Sequence, residues 1–125
     1  MAFNTPFPYV HDTRLRNELM RRLTIIEKLL LVVYPLSGTT PEIEPLNGHL
    51  QVWTLTANST PDFTKFNNGE YLTLQINGTS FSVTWPVGMK WIGGSAPTLD
   101  ATNPNIIVIW KTDDVLIGHF AGVAS

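Results

Sequence analysis

Between Asp12 and Pro35 apolar residues recur every three or four positions: Leu15, Leu19, Leu23, Ile26, Leu30 and Val33. That spacing predicts one amphipathic helix over residues 13–34. Asp12 or Thr13 would cap it by accepting a hydrogen bond from a first-turn amide, and Pro35 would end it. The steps of four, four, three, four and three approach the a/d repeat of a coiled coil. Around Ile25 and from Leu29 to Val33 the helix is apolar on nearly every side, more than one small sheet would cover. Two arrangements answer this: association of several copies through the stripe, or a helix laid across its own β-domain.

Ahead of the helix, residues 1–12 carry Phe3, Pro6, Phe7, Pro8 and Tyr9, which suit an extended docking arm whose aromatic anchors are Phe3, Phe7 and Tyr9. After it, residues 35–48 are rich in Pro and Gly and read as a linker. The rest, 49–125, changes period from about 3.6 to 2. Residues 49–57 alternate as a strand. Leu72 and Leu74 share one face of 70–76, with Tyr71, Thr73 and Gln75 on the other, and Asn77-Gly78 suits the tight turn of a hairpin returning along 79–85. That register would set Leu74 opposite Phe81 and Leu72 opposite Val83.

A second hairpin is predicted from 105–112 and 115–122 around Asp113-Asp114. Its first arm, Ile106-Ile107-Val108-Ile109-Trp110, is apolar on both faces, as in a central strand or one covered by a neighbouring subunit. The expected fold class is therefore mainly β: an arm and one amphipathic helix, then a small antiparallel β-sandwich or barrel.

Composition sharpens this picture. The chain has 125 residues, 43% of them hydrophobic and only 14% charged, against about 25% charged in an average soluble domain. A β-body so poor in charge suits a protein that hides surface in an assembly. The net charge of −2 is uneven: residues 1–34 hold five Lys/Arg against three Asp/Glu, and the remainder three against seven. A basic helix face explains that split without nucleic acid. With no cysteine there is neither a disulfide framework nor a thiolate metal site. The start shows no basic and apolar leader pattern, and the longest strongly apolar run, 29–34, is far short of the ~20 residues that span a bilayer.

Candidate chemistry is sparse. His11, His49 and His119 lack ligand spacing, and Asp113 and Asp114 suit a hairpin tip. Gly93-Gly94 lacks the Lys-Ser/Thr of a phosphate loop, and no serine sits in a nucleophile elbow. The reading is non-enzymatic, with no catalytic residue, metal or cofactor. Among Trp53, Trp85, Trp91 and Trp110, Trp91 beside Lys90 in the Gly/Pro-rich stretch is the candidate contact for a glycan or a partner; the others suit core or interface anchors.

Thr84-Trp85-Pro86, Lys90-Trp91, Gly93-Gly94-Ser95-Ala96-Pro97-Thr98-Leu99, Ala101-Thr102, Ile106 to Trp110 and Leu116-Ile117-Gly118 together resemble a β-rich module of tailed-bacteriophage virion proteins, tail-fibre-like and decoration proteins among them. The likeness covers about a third of the chain, and Ile117 stands where related sequences carry an aromatic. It implies a virion structural protein and favours a homotrimer; the stripe read above from its spacing, Leu15, Leu19, Leu23, Ile26, Leu30 and Val33, would then be the subunit seam, and the absence of a leader pattern suits a protein made in the host cytoplasm. The implied partners are other copies, the capsid shell or tail, and in the adhesin reading a host surface glycan. A capsid decoration or cement protein attached through its N-terminal segment is one expectation, and a tail-fibre or tail-tip adhesin the other.

Overall fold

Ile107 and Ile109 alternate with Ile106, Val108 and Trp110 on the longest apolar strand of the chain, and the fold is organised around that strand. The computed structural model describes residues 13–30 and 33–125, with side-chain detail for 13–23 and 33–125. Helix α1 spans Thr13–Leu30. Six strands follow: β1 Val33–Leu36, β2 Leu50–Trp53, β3 Tyr71–Ile76, β4 Lys90–Trp91, β5 Asn105–Thr112 and β6 Val115–Val123, with a 3-10 turn at Pro45–Asn47. The protein is mainly β with one short helix.

The strands form a single sheet in the order β1-β2-β3-β5-β6-β4. It is mixed rather than antiparallel throughout: β1 with β2, β2 with β3 and β4 with β6 run parallel, while β5 runs antiparallel to β3 and β6. Parallel neighbours need long connections, and these connections build the core. Segments 37–49 and 54–70 bring Ile43, Leu55, Phe63 and Phe66 into one core with Trp53, Leu72, Leu74, Ile76, Ile107 and Ile109, and 77–104 packs Val83, Trp85, Met89 and Leu99 against it.

Three sequence expectations change here. The helix stops at Leu30, and Val33 and Tyr34 lie in β1, because the β-branched residue and the residue before Pro35 both favour extended backbone. Pro35 is tolerated there because β1 is an edge strand. Residues 35–48 are not a linker, so the β-body begins at Val33 rather than at His49. Thr60 donates to Thr39, Asp62 to Pro41 and Ile43 to Asp62 through the backbone, which holds Ile43 fully buried.

The hairpin at Asn77-Gly78 does not form. Strand β3 pairs instead with β5, Leu74 opposite Ile107 and Leu72 opposite Ile109. A favourable turn contributes about 1 kcal/mol, whereas full burial of each isoleucine contributes ~1.5–3 kcal/mol, so the non-local pairing wins. Thr79 donates instead to the Asp100 carbonyl, and Gly78 lies against the backbone of Thr102, so close that a Cβ would sit 2.4 Å from its carbonyl carbon.

The second hairpin forms as predicted, β5 to β6 around Asp113-Asp114. Both aspartates adopt positive φ, 50° and 61°. Asn68 holds this strained tip from below: its Nδ2 donates to Asp114 Oδ1 and its Oδ1 accepts from the Asp114 amide, each at 2.9 Å.

Candidate assembly surfaces

Helix α1 presents Leu15, Leu19 and Leu23 along one stripe with 58%, 57% and 47% of their surface open. The flank of the helix is polar: Arg22 Nε donates to Glu18 Oε2 at 3.0 Å and Arg21 shares the same oxygen. Those hydrogen bonds, Arg22 first, hold the Glu18 carboxyl below the usual carboxylate range. Among the described residues the helix touches the turn Pro45–Asn47. Of the remaining seam positions, Ile26 and Leu30 belong to α1 but their side chains lie outside the described residues, and Val33 stands on β1, 52% exposed. The arm residues Phe3, Phe7 and Tyr9 lie outside the described residues.

The Trp/Gly/Pro stretch folds back onto the sheet. Strand β4 adds beside β6 with Lys90 opposite Ile117 and Trp91 opposite Gly118, and the Ile92 amide donates to the Gly118 carbonyl at 2.9 Å. Trp91 is half-buried over Gly118, where an added Cβ would lie 2.5 Å from its ring. It also meets Trp85 edge-on at 5.0 Å, and Trp85 continues to Phe63 at 6.5 Å. Lys90 is exposed on the opposite face. The candidate contact pair is thus split across the sheet edge: the Trp91 ring supports the core, and Lys90 alone is open to solvent.

Two grooves border these elements. One, about 350 Å³, is lined by Phe81, Trp85, Ser80, Ser82 and the segment Pro97 to Leu99. The second, about 390 Å³, lies by Tyr71, Trp110, Glu70 and Asp113. His49 stacks on Tyr71 with ring centres 4.9 Å apart.

The sheet face turned away from the core carries Val33, Leu50, Thr73, Val108 and His119 in one lateral row, set by the strand registers. The row beside it holds Tyr71, Trp110 and Ile117. Tyr71 is 56% exposed, and Leu50, Val108, Trp110 and Ile117 are half-buried. The partly buried apolar residues that do pack on the core are Val83, Trp85, Met89, Trp91, Leu99, Leu116 and Phe120.

The titratable groups serve the backbone. Asp100 accepts from the amides of Asn103 and Thr102, which holds its carboxyl below the usual aspartate range, and Asp62 is lowered likewise by the Thr64 amide. His119 is exposed beside Val108 rather than enclosed in the core. Among the described residues no three His, Asp or Glu side chains gather as metal ligands, and no helix is long and apolar enough to cross a membrane.

Sequence reasoning missed the residue that organises the long 77–104 connection. Asn105 is fully buried; its Oδ1 accepts from the Asp100 amide at 2.7 Å, and its Nδ2 reaches the carbonyls of Ile76, Asp100 and Asn103. A lone asparagine before an apolar strand gives no periodic signal. Comparison of the chain with protein families, curated proteins and solved structures gives no match.

Proposed function

We propose that this chain is a non-enzymatic structural protein of a tailed-bacteriophage virion, a homotrimeric capsid decoration or cement protein attached through its N-terminal segment. The observation that carries the proposal is the helix stripe: Leu19 and Leu23, one helical turn apart, are 57% and 47% exposed on a helix that, among the described residues, touches the turn Pro45–Asn47. Leucines at such spacing find their natural cover in the same stripe of other copies. Of the two arrangements open to the sequence, the exposure favours association between copies over a helix laid flat on the sheet.

The virion assignment rests on the resemblance, and the packing of its motif residues is consistent with a structural role for them. Trp85, Trp91 and Gly118, distant in sequence, meet at one lock between β4 and β6. Size favours decoration, since an 18-residue helix is about 27 Å long and forms no shaft. The adhesin reading gains from the groove lined by Phe81 and Trp85, whose mix of aromatic and serine residues suits a sugar ring.

The copy number of this protein in purified particles separates the two. Hundreds of copies fit decoration of the shell, and a few to a few dozen fit a tail appendage. Deletion of residues 1–11 is expected to abolish attachment while leaving the β-body folded. Unchanged occupancy on particles would remove the docking role of the arm.

A further inference from the structure

We propose that the sheet face centred on Thr73 and Val108 is a second subunit surface, packed against other copies of this chain in continuity with the helix stripe. The proposal rests on the self-assembly reading above and names the surface that completes it.

The first argument is the side-chain pattern. A sheet with one wet face alternates apolar inward with polar outward. Strand β5 instead sends Ile107 and Ile109 into the core and Ile106, Val108 and Trp110 to the outer face. Across all six strands that outer face carries one Lys, Arg, Asp or Glu side chain, Lys90 on the edge strand β4. Loss of charge from the middle of a patch, with charge kept at its rim, is what marks the centre of a protein interface.

The second argument identifies the occupant. Val33, which the heptad-like spacing placed at the end of the stripe, stands instead on β1 and on the outer face, beside Leu50 and in the same row as Thr73 and Val108. Only residues 31 and 32 separate the end of α1 from β1, so Leu30 and Val33 lie at most about 11 Å apart. Helices that associate through the stripe therefore deliver the same outer face of each copy to the same axis. The joined segments also raise the effective concentration of one face at another.

The third argument is area. A stripe ~10 Å wide along this helix offers roughly 270 Å², well below the ~800 Å² that each partner of a stable complex buries. Five strands about 4.8 Å apart, with three side-chain rows about 6.7 Å apart, add roughly 480 Å². Together the two surfaces come close to what a stable complex needs, and neither does so alone. Three such faces turned toward one axis would enclose an apolar interior between copies and cover the second apolar face of β5.

The natural absence of cysteine makes the test direct. Thr73→Cys is introduced into the full-length chain, with Ser95→Cys on the exposed Gly-rich loop as control. Mass in solution, rate of maleimide labelling and covalent pairing by a short bis-maleimide are then measured. Expected are a multiple of the monomer mass, labelling at position 73 slowed at least tenfold against the control, and cross-linked pairs from Thr73→Cys. Val108→Cys on the neighbouring strand repeats the measurement if Thr73→Cys assembles or folds poorly. A multimer whose position-73 thiol labels at the control rate overturns this surface while leaving assembly through the helix intact. A monomer overturns both, whether its position-73 thiol is open or protected, since protection in a monomer means that the chain covers the face itself.

Discussion

Gly118→Ala tests the lock that joins the Trp/Gly/Pro stretch to the last strand. The added methyl would lie 2.5 Å and 2.7 Å from the Trp91 ring and 2.9 Å from Met89 Cε. The Met89 methyl can swing aside at small cost. The ring is less free, because β4 is bonded to β6 at this same point and the ring also packs edge-on against Trp85 at 5.0 Å. Ordinary contact requires the ring to retreat by about 1 Å, and the cheapest retreat is to leave. A tryptophan that gives up about 100 Å² of cover loses ~2.5 kcal/mol. The aromatic pair adds ~0.5–1.5 kcal/mol, and partial relaxation returns some of this, so the expected cost is about 2–3 kcal/mol. At this chain length each kcal/mol corresponds to about 3–5 °C, which lowers Tm by roughly 6–15 °C. Urea unfolding followed by tryptophan fluorescence measures the loss, and circular dichroism from the Trp85–Trp91 pair reports whether the ring has left. A variant with unchanged midpoint and an intact tryptophan signal would refute the packing argument.

Gly78→Ala meets backbone rather than a side chain, 2.4 Å from the Thr102 carbonyl carbon. It should cost ~2–4 kcal/mol by parting the two loops that Thr79 and Asp100 hold together; stability equal to the parent in urea would contradict this. Asn105→Ala leaves the Ile76, Asp100 and Asn103 carbonyls and the Asp100 amide without that partner. A loss of about 2–3 kcal/mol is expected, with faster hydrogen exchange across 99–105, and wild-type exchange there would count against the hub. Asp100 is held below its ordinary pKa first by the Asn103 amide and then by Thr102. A group whose folded pKa is lowered adds stability above its unfolded pKa and loses it as pH falls through the folded value. Asp100→Asn should therefore flatten the acid side of the stability profile in that range, and an unaltered acid slope in urea titrations at several pH values would show that the turn does not stabilise the folded state.

The sequence disclosed periodic features and concealed non-local ones. The helix from Thr13, the inward set Leu72 and Leu74, and the two-residue turn at Asp113-Asp114 all follow from spacing or local turn chemistry, and each lies where that chemistry puts it. The Asn77-Gly78 turn was misleading because local preference there competes with Ile107 and Ile109, which arrive from across a long connection. The edge strand β1 was hidden for a related reason. Four residues containing a proline carry no strand signal, and they pair only because β2 offers a free edge. Ile43 looked like part of a spacer because the Pro/Gly content of its neighbours masks a single buried anchor. Of the candidate surfaces, the leucine stripe was legible as heptad spacing. The outer sheet face became visible only when the strand order set Val33, Leu50, Thr73 and Val108 in one row.

The central claim is that copies of this chain associate through the helix stripe. The most direct test is the mass in solution of the wild-type protein beside Leu23→Asp, by light scattering at micromolar concentration. Leu23 is 47% exposed, so a monomer would accept the aspartate with little loss of fold, whereas a subunit seam would have to bury an unpaired charge. The predicted result is three times the monomer mass for the wild type and dissociation of Leu23→Asp into folded subunits. A wild-type monomer, or a Leu23→Asp trimer as stable as its parent, would contradict the claim.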